Sequence, residues 1–224
     1  MTHQAEKKAL GGLNQGNRVT MRKTATNNLR TLLLALGLVY TLDVAAAAAY
    51  AIRSDEVLLL PPSCFHLSSG NFEPDAYRLI STKRKGPVLG PHMQHFCHGE
   101  KSVIRANNNF GTGEERNNLQ TAIGEFNYVL SHTATDNKNG RYNNYLAITS
   151  TEKAKVLQRL KMTTEAMQMY QQAIKYNPKL TQAYAGFSDL YKAQGMNDEA
   201  REMLELGLKR VPKSKSLRRR LDKL

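Results

Sequence analysis

With 224 residues, 41% of them hydrophobic, the chain has the length of one ordinary domain with extensions and is too apolar to be disordered throughout. Two Cys in this length exclude a small scaffold held together mainly by disulfides. The formal net charge of +13 raises nucleic acid or an anionic membrane as a partner, yet the excess is confined to the two ends. Residues 1–51 carry six Lys+Arg against two acids, residues 209–224 carry eight against one, and residues 52–208 carry eighteen against sixteen. A nucleic-acid surface spread over the fold is therefore excluded, and no nucleic-acid partner is expected. The C-terminal stretch with Arg218-Arg219-Arg220 is the place to expect anionic lipid, an acidic polymer or an acidic partner.

Residues 31–42 form an uncharged apolar run, preceded by Arg22, Lys23 and Arg30 and followed by the alanines of residues 45–49. That is the order of an export signal, with Met21 as a second candidate start and Ala49-Tyr50-Ala51 among the small-x-small cleavage choices. Residues 1–20 have no apolar period and read as a disordered start or an over-extended gene start. The alternative is an inner-membrane anchor over residues 31–51, whose one charge, Asp43, costs about 2.5–3.5 kcal/mol on insertion scales. Export to a periplasmic or extracellular location is the expectation.

Residues 52–92 form an irregular Cys-containing segment with Pro74, Pro87, Pro91 and the run Lys83-Arg84-Lys85. In an oxidising compartment Cys64 and Cys97 are expected to pair, closing a loop whose constraint is worth roughly 3–4 kcal/mol in chain-entropy models. Two alternatives stay open, free thiols and a metal or redox site. The second draws on His66, His92, His95 and His98 crowding around the two Cys, because imidazole and thiolate are the preferred ligands of zinc and copper. There is no Cys-x-x-Cys, so neither a zinc ribbon nor covalent haem attachment is indicated, and no cofactor is assigned.

From Tyr145 onward the apolar residues follow a helical period, and Asn177-Pro178 and Val211-Pro212 recur 34 residues apart. That period predicts helix-turn-helix repeats. The unit 181–214 has Tyr184, Phe187, Ser188 and Tyr191 on its first helix, Gly195 at the turn, Ala200, Leu204 and Gly207 on its second, and Pro212 at its close. Small residues at the eighth, twentieth and twenty-seventh places let two antiparallel helices approach closely. This pattern resembles the tetratricopeptide repeat family at every one of these places. Unit 147–180 resembles it at Ala154, Leu157, Ala166, Tyr170, Ala173 and Pro178, but has Ser150 and Lys153 where aromatic and apolar residues are usual.

Such units stack in threes or more. A degenerate repeat is predicted over 93–132, with Gly99 in a small place and Ala122, Phe126, Val129 and Leu130 on its second helix. Polar insertions are predicted at 107–115 and 133–141. Residues 215–224 place Leu217, Leu221 and Leu224 on one face of a capping helix. The expected fold is all-α, a helical-hairpin solenoid of about seven helices over 93–224 preceded by an irregular disulfide-stapled segment. Leu60-Pro61-Pro62-Ser63-Cys64 followed by His95-Phe96-Cys97-His98-Gly99 also resembles exported bacterial repeat proteins, with Ser63 in place of an aromatic residue. That likeness implies a periplasmic setting and the same Cys pairing.

In tetratricopeptide arrays the first helix of each unit lines a concave groove. The resemblance implies groove positions at Ile148, Thr151, Lys155, Gln158, Arg159, Gln182, Ala185, Asp189 and Lys192, with Arg219 and Lys223 added by the terminal helix. Ala185 and Asp189 break the family's clamp for a peptide carboxylate. What remains is a moderately basic groove for a protein or acidic peptide, within an interaction or assembly scaffold. The alternatives are a structural subunit that self-assembles as a homo-oligomer or filament and a metal or redox accessory protein. No Gly-x-Ser-x-Gly, phosphate-binding Gly loop or His-Glu-x-x-His occurs, so no catalytic residue is assigned.

Overall fold

The computed structural model describes residues 50–224. Residues 1–20, expected to be a disordered or over-extended start, and nearly all of the expected signal or anchor lie outside the described residues. Residues 52–224 form one compact unit.

Seven α-helices run through the repeat region: α3 Met93–Asn108, α4 Gly113–Asp136, α5 Asn143–Arg159, α6 Thr163–Tyr176, α7 Thr181–Ala193, α8 Asn197–Arg210 and α9 Lys215–Leu221. Two shorter ones, α1 Ser54–Val57 and α2 Pro74–Ser81, precede them. Helices α3 and α4, α5 and α6, and α7 and α8 pack as hairpins, as expected for a helical-hairpin solenoid. There is no strand among the described residues, only a single parallel bridge between Ile52 and Phe72. Among the described residues no helix is long and apolar enough to cross a membrane.

The predicted polar insertions are smaller than the sequence suggests. Only residues 109–112 leave the helix between α3 and α4. Thr112 caps α4 by accepting the Glu115 N–H, and Glu114 and Glu115 favour the first turn of the helix by their charge. At its other end α4 runs on to Asp136 because Thr133 is fully buried and gives that turn an inward contact. A 3-10 turn, Lys138–Gly140, then leads into α5.

The small places do what the repeat pattern requires. A Cβ on Gly99 would run into the Phe126 ring, so α3 and α4 meet closely only because that side chain is missing. Gly195 links α7 to α8 with a φ of +76°, where glycine carries no steric cost. The equivalent position one repeat earlier is Lys161, which takes the same left-handed conformation at φ +62°. Met167, Met169 and Met203 pack against the buried residues of α5–α7, as adaptable filler.

The core follows the stack in three parts. The last two hold Ala154, Leu157, Tyr170 and Phe187, then Tyr184, Leu204 and Leu217. The first is shared by α3, α4 and the segment before them, since Ile52, Val57, Leu60, Phe65, Phe72, Ala76 and Ile80 are buried with Phe96, Cys97, Ile104 and Phe126. The Cys-containing segment thus packs onto the first hairpin as part of the same core. It is joined there by a Cys64–Cys97 disulfide with Cα atoms 5.6 Å apart. A second tie is ionic. The fully buried Glu56 carboxylate of α1 accepts from Arg105 Nε at 2.5 Å and Nη2 at 3.1 Å, and from the Arg53 backbone N–H at 3.0 Å.

Two stability measurements follow. Arg105→Ala leaves Glu56 buried with less of its compensation and is expected to cost about 3–5 kcal/mol in urea unfolding; a loss below 1 kcal/mol would show that Arg53 suffices. Lys161→Gly is expected to stabilise by about 1 kcal/mol through relief of the left-handed backbone, and the reciprocal Gly195→Ala to destabilise by a similar amount.

Candidate functional site: the groove of α5, α7 and α9

The first helices of successive repeats present one face side by side. Along it lies a hollow of about 420 Å³ lined by Lys155 and Gln158 of α5, Gln182, Ala185 and Asp189 of α7, and Arg220 of α9, with Tyr170 of α6 at its floor. Tyr170 is wholly buried and its hydroxyl donates to Gln158 Oε1 at 3.2 Å. A smaller hollow of about 140 Å³ continues from Asp189 past Lys192 to Lys223 and Leu224. Lys155, Gln182, Asp189, Lys192 and Lys223, all named from the sequence, therefore lie along these two adjoining hollows.

Four of the implied positions go elsewhere, the first being Ile148, which is half-buried and packs against the first part of the core. Thr151 is buried and its hydroxyl donates to the Ala147 carbonyl at 2.8 Å, so it faces the interior of the helix pair. Arg159 is held by Asn107 and Glu115, each at 2.6 Å, and ties α5 to the last turn of α3 and the first turn of α4. The Gly111 N–H and the Arg159 guanidinium together hold the Glu115 carboxyl below the usual carboxylate range. Arg219 is exposed and lines neither hollow; its neighbour Arg220 takes that part. The helix period explains the exchange: at 100° per residue Arg219 lies roughly 200° round from buried Leu217, while Arg220 lies about 60° from it. A helical wheel centred on Leu217 and Leu221 finds Arg220.

Internal pairing changes the electrostatic expectation. Lys155 donates to Glu152 at 2.7 Å, and Arg220 grips both oxygens of Asp189 at 2.5 and 2.7 Å. The positive charge that a moderately basic groove would offer an acidic peptide is largely answered within the protein itself. Lys192 and Lys223, at the far end, remain exposed.

The His and Cys residues considered as metal ligands are distributed differently from their sequence crowding. Both sulfurs are used in the disulfide. His98 is buried against Asn71 Oδ1 at 3.1 Å, and burial pushes its pKa down to about 3. His66 contacts the Gly86 carbonyl at 2.7 Å. His95 meets Glu125 at 2.7 Å and stacks on Tyr128, with ring centres 3.8 Å apart. Among the described residues no group of three or more His, Cys, Asp or Glu is placed to hold a metal ion.

The Asp189–Arg220 pair is half-exposed, so Asp189→Asn is expected to lower unfolding free energy by no more than about 1 kcal/mol. Leu217→Ala removes the apolar anchor of α9 and is expected to cost about 2–5 kcal/mol. Comparable losses from both, read by urea unfolding, would contradict this division between surface pair and core contact.

A family model described as Tetratricopeptide repeat matches residues 158–221, from the end of α5 through α9. A comparison with curated proteins finds no match. Tetratricopeptide repeats in general bind proteins or peptides and act as scaffolds without catalysis of their own. Residues 158–221 of this chain are thus similar to tetratricopeptide repeats.

Proposed function

We propose that the protein is an interaction or assembly scaffold that holds an extended or helical segment of a protein partner along the face made by α5, α7 and α9. The observation that carries this reading is the open hollow between Lys155, Gln182, Ala185, Asp189 and Arg220. It lies on the first helices of the repeats, with polar side chains around a floor of Tyr170 and Ala185, and an exposed row of this kind suits a segment that presents alternating side chains. In this reading the scaffold is exported to the periplasm or envelope. The basic flank and apolar run of residues 22–42 support export, and a Cys64–Cys97 pair is of a kind that persists in oxidising compartments.

Site-specific photo-crosslinking in the native cells tests it. A photoreactive residue at exposed Gln182 in the groove is expected to give a discrete protein adduct, whereas one at exposed Arg201 on α8 gives none. Equal labelling from both positions, or none from Gln182, would overturn the groove reading.

A further inference from the structure

The segment that covers the first hairpin cannot bury all of its apolar run. Val57-Leu58-Leu59-Leu60 closes the single turn of α1 and leads into Pro61-Pro62. Val57 and Leu60, three residues apart and so on one side of the turn, are buried in the core. Leu58 and Leu59 are left on the outside, 55% and 64% exposed. Helix α2, which packs on α1, adds Leu79 at 42% exposed.

Cations border these leucines. Leu79 and Lys83 line one hollow with Asp75, Arg78 and Thr82. The run Lys83-Arg84-Lys85 is exposed throughout and ends at Gly86, whose N–H donates to the Pro62 carbonyl at 2.9 Å. A Cβ on Gly86 would meet the Ser63 nitrogen at 2.7 Å, so the two segments touch closely and the basic run is pinned beside the residues that follow Leu58 and Leu59. The acids of this segment do not neutralise it. Of the four between residues 52 and 92, Asp55 is paired with Arg53, Asp75 with Arg78 and the buried Glu56 with Arg105, which leaves Glu73 against three cations.

We propose that this face docks on an anionic lipid surface, with Leu58, Leu59 and Leu79 entering the interface and Lys83, Arg84 and Lys85 lying among the headgroups. Apolar side chains bordered by cations are the pattern of peripheral membrane contact, and each cation near an anionic surface adds to the attraction. The place of the face in the chain supports the lipid as its partner. The apolar run of residues 31–42 ends ten residues before Ile52, and ten residues span at most about 35 Å. A bilayer that holds that run, during export or after it, is therefore within reach of the face. The basic stretch of α9 suits lipid less well, because Arg220 is spent on Asp189, Arg218 donates to the Pro212 carbonyl, and Leu217 and Leu221 pack into the core. The proposal does not depend on the groove, which lies on α5, α7 and α9.

The test uses the full chain with its disulfide intact, a bimane fluorophore on Thr82→Cys or, as a control on the terminal helix, on Arg219→Cys, and vesicles of phosphatidylglycerol and phosphatidylethanolamine with brominated acyl chains. The label at position 82 is expected to be quenched and shifted to shorter wavelength, while the label at position 219 stays in water. On brominated phosphatidylcholine alone the signal at position 82 is expected to be lost. Replacing Lys83, Arg84 and Lys85 together by Gln is expected to weaken docking about a hundredfold, and Leu58→Ser with Leu59→Ser at least about tenfold. All five positions are exposed, so both variants are expected to fold, and helix content and melting temperature verify it. A label at position 82 that stays in water on the anionic vesicles, equal quenching at the two positions, equal docking on phosphatidylcholine, or docking unchanged in either variant overturns the proposal. So does a label at position 82 already shielded without lipid. Shielding that grows with protein concentration would give the face to a second copy, and shielding independent of concentration would give it to residues 31–42 of the same chain.

Discussion

Everything in this molecule depends on covering the ends of an open stack. A helical hairpin buries one face against its neighbour and leaves the other bare, so a short solenoid is stable only where something terminates it at each side. At the C-terminal side the solution is economical. Leu217 is fully buried, Leu221 and Leu224 lie partly buried beside it, and seven residues of helix suffice. At the N-terminal side the covering element is much larger. Residues 52–92 lack a strong period, yet they lay Ile52, Val57, Leu60, Phe65, Phe72 and Ile80 onto the first hairpin and are fastened by the Cys64–Cys97 bond and the Glu56–Arg105 ion pair. A loop-rich cap of this sort gains from covalent closure because its own helices are too short to nucleate alone.

The terminal helix does more than cover apolar surface. Its Arg220 reaches back to Asp189 and so forms one wall of the groove. The basic stretch that dominates the chain's charge is therefore partly turned inward, and the face assembled from α5, α7 and α9 is closer to electrostatic balance than the number of its cations implies. The balance changes from one end of the concave face to the other. Exposed Lys192 and Lys223 mark one end, and Lys155, paired with Glu152, stands in the larger hollow beyond Asp189.

The repeats, their hairpin pairing, the glycine turn at Gly195, the capping leucines and the Cys64–Cys97 pairing were all readable from the sequence, because each depends on spacing along the chain or on a small choice among residue types. A 34-residue period survives any detail of packing. The buried Glu56–Arg105 pair was not readable, since its partners stand 49 residues apart and no local pattern joins them. Nor was the true extent of α4: its polar ends look like insertions, and only burial of Thr133 and the Thr112 cap keep them helical.

For the groove, the family resemblance implied Lys155, Gln182, Asp189, Lys192 and Lys223, and these line the two adjoining hollows. Tertiary structure alone decided that Arg159 is spent on Glu115 and that Arg220 and not Arg219 enters the groove. The physical reason is range. Helix face and repeat register are set within a few turns of chain, whereas the state of a charge is set by which other charges folding brings within a few ångströms of it.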